Sequence, residues 1–172
     1  MARRNHDFYP TPEWATKVLL EHCPDIYRCS DGVVEPCAGD GAIADCLYPY
    51  FQYVHTLDID PTRKVDKIYD ARYLTVSSEE AVITNPPFNQ AIEIVQNFVQ
   101  SGAKSAFLLR LSFLEPTFAR GKWLQENPPA GLIILPRISF TGDGKTDSVT
   151  CAWMVWNMRP FGVIVHPKTT NS

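Results

Sequence analysis

The apolar run Ala81 to Thr84 leads directly into Asn85-Pro86-Pro87-Phe88, and this junction limits the fold more than any other stretch of the chain. Neither proline carries a backbone N–H and each ring fixes φ, so a strand that arrives here cannot extend its hydrogen-bond ladder. A sheet containing Ala81 to Thr84 must end at this point, leaving Asn85 and Phe88 on a stiff corner at the strand's C-terminal end. Open α/β sheets place their ligands at such ends, so the junction marks both a structural boundary and a candidate site.

The rest of the sequence repeats a strand–helix alternation around that junction. Pro12 to His22 reads as a helix with proline in its first turn and Trp14, Val18 and Leu19 on one face. Strands are expected at Gly32 to Glu35, Tyr53 to Asp58, Lys67 to Tyr69, Ala81 to Thr84, Ala106 to Leu111, Leu132 to Leu135 and Thr150 to Trp156, with Phe161 to Val165 a further edge candidate. Helices are expected at Ala42 to Tyr48, at Gln90 to Gln100 with Gly102 as its C′ residue, and at Thr117 to Glu126. Strands alternating with helices predict βαβ units, hence an α/β fold of three layers with a mostly parallel seven-stranded sheet. The last two strands, with no helix between them, are expected to form an antiparallel hairpin.

No linker divides the chain, so residues 1–172 are expected to form one domain. Within it, residues 8–111 carry the motifs, 112–165 complete the sheet and offer substrate loops, and 166–172 form a flexible tail. With 45% hydrophobic and 20% charged residues, wholesale disorder and fibrous repeats are excluded. The longest apolar runs, such as Gly131 to Leu135 and Cys151 to Trp156, fall far short of the roughly 20 residues that cross a bilayer. No apolar segment follows the N-terminal arginines, so no secretory signal is expected and the cytoplasm is the expected compartment.

The five cysteines, at 23, 29, 37, 46 and 151, include no C-x-x-C pair, and the four histidines share no ligand spacing, so neither zinc nor any other metal is expected. A formal charge of −3 does not announce a polyanionic partner, so any nucleic-acid contact must be local. Arg110, Arg120, Lys122, Arg137 and Lys145, joined by Arg3 and Arg4, could supply a basic rim or be scattered solvated charges. Gly142-Asp143-Gly144-Lys145-Thr146 ends like a phosphate loop, but Ser139 stands where the first glycine is required. It reads as a hairpin loop. Trp153 and Trp156 read as core and edge packing.

Three motifs carry chemistry. Glu35-Pro36-Cys37-Ala38-Gly39-Asp40-Gly41 is a strand-to-helix turn whose two glycines allow close backbone approach to a ligand, facing the N-terminus of the next helix. Asp58-Ile59-Asp60-Pro61 follows at the end of the next strand, at the spacing from which a carboxylate accepts ribose hydroxyls. Asp70-Ala71, after the third strand, could accept from an adenine amine. In the third motif, the Asn85 side-chain oxygen and the Pro86 carbonyl could accept both N–H bonds of a planar amine and free its lone pair. Pro87 stiffens the corner, and Phe88 can stack on a flat substrate.

Together these motifs resemble those of the class I S-adenosylmethionine-dependent methyltransferases, among them the amino-methyltransferases with a [DNS]-P-P-[YFW] signature. Their order, from Phe8-Tyr9-Pro10-Thr11-Pro12 through the glycine turn and the acid pair to Asn85-Pro86-Pro87-Phe88, is similar to that of DNA adenine methyltransferases. The resemblance covers about residues 8–111 and implies a Rossmann-like methyltransferase fold with S-adenosylmethionine as cofactor. It implies that Thr11 and Glu35 face the methionine end and that Pro36, Cys37, Gly39 and Gly41 form the turn. Asp58 and Ile59 would meet ribose and adenine, Asp70 and Ala71 the adenine amine, and Asn85 to Phe88 would be catalytic, with Asn85 also bordering the cofactor. The implied substrate is the exocyclic amine of adenine in DNA, in a bacterial cell or phage-infected host. The chain departs from that family in lacking a sizeable target-recognition region, so short loops, a partner chain or an oligomer would have to supply readout. Methylation of an RNA base or a protein glutamine amide, a non-catalytic cofactor-binding or DNA-associated module, and an oligomeric scaffold remain the alternatives.

Overall fold

The computed structural model describes residues 10–139 and 149–168. Phe8, Tyr9, Arg3, Arg4, the loop at 142–146 with Lys145, and residues 169–172 lie outside the described residues. Eight strands form one sheet: β1 (Gly32–Glu35), β2 (Val54–Asp58), β3 (Lys67–Ile68), β4 (Glu80–Thr84), β5 (Lys104–Arg110), β6 (Gly131–Ile134), β7 (Cys151–Trp156) and β8 (Gly162–Val165). Their spatial order is β3-β2-β1-β4-β5-β7-β6-β8. β7 alone runs against the rest: it pairs antiparallel with β5 and β6, whereas the other neighbours, including β6 with β8, pair in parallel.

The mostly parallel, three-layer expectation holds, with one correction. The sheet has eight strands rather than seven, because β8 bonds along the outer edge of β6. The β6–β7 pair is antiparallel as expected, with sixteen residues between Ile134 and Cys151 and β7 seated between β5 and β6. His166, the first residue of the expected tail, is bonded to the sheet. The His166 N–H donates to the Ile134 carbonyl at 2.9 Å, and its ring lies beside that of His22.

Each face of the sheet is covered by its own helices. On one face, α1 (Glu13–His22), the short α2 (Asp25–Arg28) and α3 (Ala42–Leu47) bury Ala15, Leu19, Ile26, Ile43 and Leu47 against Val33, Ile83, Leu108 and Trp153. On the other, α4 (Ala91–Ser101) sets Ile94, Val95 and Phe98 on Val34, Val82 and Phe107, while α5 (Phe118–Glu126) adds Trp123 and Leu124 at the margin. The apolar positions spaced three and four apart in Ala91–Ser101 produce that buried stripe. Gly102 ends α4 in the left-handed region at φ 80°, as its position predicts.

Both candidate tryptophans are structural. The Trp153 indole N–H donates to the Ala15 carbonyl at 2.8 Å across the core, and that of Trp156 to the Asn127 carbonyl at 2.9 Å. Just past β7, Asn157 sits at φ 58°, and its side-chain N–H group donates to the carbonyls of Val99 and Ala103 at 3.0 and 2.9 Å. An asparagine tolerates that backbone, and its amide closes the end of α4 against the sheet. A Cβ at Gly131 would come within 2.2 Å of the Phe161 ring, so a larger residue there requires that ring to move.

Trp153→Phe removes the pyrrole part of the buried indole and leaves the Ala15 carbonyl without its buried donor. Its stability in urea titration is expected to fall by about 1–3 kcal/mol, with an unchanged slope.

Candidate active site

The C-terminal ends of β2, β1, β4 and β5 lie side by side, and the chain leaves β1 toward β2 on one flank while β4 lies on the other. That switch in strand order falls beside Glu35 and Thr84, the position at which open α/β sheets hold their ligands. The parallel registers, Val34 opposite His55 and Val82, and Thr84 opposite Phe107, bring the three sequence motifs to one edge of the sheet.

The glycine turn occupies the exit of β1. Gly39 and Gly41 have φ of 55° and 87°, a conformation that side chains with a Cβ resist, and Gly41 leads into α3. The turn is tied to the next strand. The Gly39 N–H donates to one Asp58 carboxylate oxygen at 2.8 Å, and the Asp60 N–H donates to the other at 2.9 Å. Asp58 thus joins two of the predicted motifs and keeps lone pairs on both oxygens for further donors. Ile59 beside it is exposed, and Pro36 is buried. The Cys37 thiol is half-buried, and burial pushes its ionisation well up, so it acts as an apolar liner of the turn.

Glu35 is 1% exposed at the end of β1, and neither of its carboxyl oxygens has a hydrogen-bond partner among the described residues. The Thr84 hydroxyl, at the end of the neighbouring strand, is also buried and unpartnered among them. Burial pushes the Glu35 carboxyl up to about 8; the Thr84 hydroxyl and the Cys37 backbone amide, near it but outside hydrogen-bond geometry, oppose that shift, and the nearby charge of Asp58 adds to it. A carboxyl group in this position awaits a cation or a donor, because an unpartnered buried charge is costly.

At the exit of β4, Asn85 is half-buried, and its side-chain N–H group donates to the Thr11 hydroxyl at 3.2 Å. Thr11 is 5% exposed just ahead of α1, so residues 74 positions apart meet at the corner. Pro86 is buried and Pro87 half-buried, and a 3₁₀ turn (Phe88–Gln90) follows into α4. The half-buried Phe88 ring has the Arg110 guanidinium at 3.8 Å from its centroid.

Asp70 lies farther out, at the exit of β3. Its carboxylate caps the 3₁₀ turn Ala71–Tyr73 through the Arg72 N–H and is clasped by the Arg72 side chain at 2.6–3.1 Å, which holds its ionisation below the usual range. Ala71 is buried beneath it. Sequence reasoning missed this clasp and a second one, in which Arg63 pairs with Asp40 and, at 3.4 Å, with Asp60. Alternating acids and arginines in the turns after β2 and β3 were the available signal. Thr84 was missed because a threonine inside a strand has no distinguishing pattern. Among the described residues, no group of three or more His, Cys, Asp or Glu side chains is arranged to hold a metal ion, and no helix is long and apolar enough to cross a membrane.

The Glu35 carboxyl makes stability depend on pH in a definite direction. Unfolded, it ionises near the ordinary glutamate value; folded, it holds its proton to about 8. Its contribution is therefore fully present below the unfolded value and is lost as pH rises toward 8, at up to about 1.4 kcal/mol per pH unit. Thermal unfolding of the ligand-free protein is expected to show a Tm that declines from pH 5 to pH 8. Glu35→Gln is expected to flatten that slope; an unchanged slope would place the titration elsewhere.

By sequence, no family model and no curated protein matches the chain. By structure, it is similar to a Pyrococcus horikoshii protein proposed to be an RNA methyltransferase, at TM-score 0.62 and 17% identity over 89% of this chain and 87% of that one. It is similar to the 23S rRNA methyltransferase ErmE at TM-score 0.62 and 14% identity, over 90% and 71% of the two chains. The M protein of the type I restriction enzyme EcoKI matches at TM-score 0.62 and 13% identity over 89% of this chain, which spans 44% of that protein. At these identities the likeness concerns architecture, and it agrees with the strand order and the lone antiparallel β7: the chain has the Rossmann-like methyltransferase fold.

Proposed function

We propose that the protein is an S-adenosylmethionine-dependent methyltransferase that acts on the exocyclic amine of adenine in DNA. The observation that carries this reading is the Asn85-Pro86-Pro87-Phe88 corner at the end of β4, beside the buried and unpartnered Glu35 carboxyl. The residues present fit the cofactor. Glu35 would receive the ammonium of its methionine end, with Thr11 and Thr84 close by. The turn of Pro36, Cys37, Gly39 and Gly41 would let the backbone approach it, and Asp58 and Ile59 would meet ribose and adenine. Asp70 and Ala71 would border the adenine amine.

Bound there, the cofactor supplies a methyl group on a positively charged sulfur, which is already a good electrophile. The chain's task is then alignment. The Asn85 side-chain oxygen and the Pro86 carbonyl accept the two N–H bonds of the target amine, which draws the nitrogen toward tetrahedral geometry and frees its lone pair. With its N–H group committed to Thr11, the Asn85 amide presents its oxygen away from that hydroxyl. Phe88 stacks on the flat base, which must leave the duplex to reach the corner. A partner chain or oligomer would supply whatever sequence readout the short loops cannot.

Methylation of RNA is the second reading, favoured by the two RNA-methyltransferase names among the similar structures. Methyl transfer from labelled cofactor to DNA, RNA and protein in parallel decides between them. Label is expected in DNA, and label confined to RNA or protein overturns the DNA assignment. Asn85→Ala is expected to reduce turnover at least 100-fold while cofactor affinity by calorimetry stays within about threefold. Unchanged turnover would remove Asn85 from the mechanism.

Ionised Glu35 is the form that attracts an ammonium, so cofactor binding below pH 8 is expected to release a proton. Affinity should rise by up to about tenfold per unit as pH increases toward 8, and Glu35→Gln should weaken binding and abolish that rise. Calorimetry in buffers of different ionisation enthalpy checks the proton count.

A further inference from the structure

Among the described residues, Arg110 is an arginine in contact with the corner itself. It ends β5, the strand adjacent to β4, three positions beyond Phe107, which stands opposite Thr84. Its guanidinium carbon lies 3.8 Å from the centre of the Phe88 ring, close enough for direct stacking. Along the same edge, Arg63 contacts Asp40 and Asp60, and Arg72 contacts Asp70 and Glu93. Arg110 lies on the ring against which a flat substrate would be laid.

Two physical facts give this contact a consequence. A guanidinium and a base cannot share one face of Phe88, so a base that stacks on that face must displace Arg110. A guanidinium is also the side chain that both stacks on aromatic rings and forks onto phosphate oxygens. A substrate that brings a base to Phe88 and a phosphodiester beside it supplies both the displacement and the new partner.

We propose that Arg110 is a specificity-determining residue that moves from the Phe88 ring to the phosphate flanking the target nucleotide as the base takes its place on the ring. The exchange makes a backbone phosphate part of what the corner accepts, which favours a polynucleotide over an isolated base or a protein amide. This inference rests on the DNA-adenine reading above, deepens it, and involves no covalent step.

The test is a thermodynamic cycle on the intact protein. The target adenine is first located by sequencing DNA methylated by the wild-type protein. Oligonucleotides are then made with an ordinary phosphate or a neutral methylphosphonate beside that adenine. Arg110→Gln is expected to raise KM for the phosphate oligonucleotide about tenfold or more, with a smaller effect on kcat and with cofactor affinity within about threefold. The methylphosphonate is expected to impose a similar KM penalty on the wild type and less than a threefold further penalty on Arg110→Gln. Arg110→Lys should recover part of the loss, and Arg110→Gln should reduce the salt dependence of binding by about one phosphate's worth.

Independent penalties, in which the methylphosphonate costs the variant as much as the wild type, would overturn the Arg110 assignment and leave the methyltransferase reading intact. So would an unaltered KM in Arg110→Gln. Failure of the wild type to methylate any DNA, with cofactor bound, overturns the DNA reading and the Arg110 assignment with it.

Discussion

A parallel strand buried on both faces has nowhere to put an unpaired backbone group, so the place where its ladder stops must be dictated by chemistry. In β4 that chemistry is two successive residues without an N–H. The strand ends at Thr84, with Asn85 between it and Pro86 and Pro87, which would otherwise have to join the ladder, and the register with β1 and β5 sets Glu35 and the end of β5 around the same corner. Everything at the site inherits its position from this stop. Asn85 is carried out of the sheet beside Thr11, Phe88 begins the turn into α4, and α4 packs back on the sheet through Ile94, Val95 and Phe98.

Asp58 is the second fixed point. With one oxygen on the Gly39 N–H and the other on the Asp60 N–H, it fastens the exit of β1 to the exit of β2. The glycine turn keeps its shape because its neighbour anchors it through these two charge-assisted bonds. The contrast with Glu35 is informative. Two acids stand at adjacent strand ends; one is satisfied by the chain itself, and the other is buried without a partner among the described residues. Only the second pays a desolvation penalty that a ligand could relieve.

Much of this was legible in the sequence because it was written locally. Strand limits followed from Pro86 and from the Pro36 and glycine turn, and the end of α4 from Gly102, since backbone rules act over a few residues. Elements β1, β4, α1 and α4 fell within a residue or two of expectation. What escaped notice depended on partners distant in sequence. The meeting of Thr11 with Asn85, the Asn157 clamp on the end of α4 and the parallel seating of β8 on β6 are all set by tertiary packing. The Arg72 clasp on Asp70 is local, yet it was missed because a turn acid reads the same with or without a neighbouring arginine engaged.

The reversed direction of β7 has a consequence for how such a protein can diversify. Because β7 opposes β6, the connection from Ile134 to Cys151 begins and ends at the same rim of the sheet, and Cys151 stands opposite Arg110 in register. Lengthening or exchanging that connection would change what surrounds the corner without passing through the glycine turn or the Asp58 junction. The topology thus separates two inheritances: one half of the rim can stay constant while the other changes.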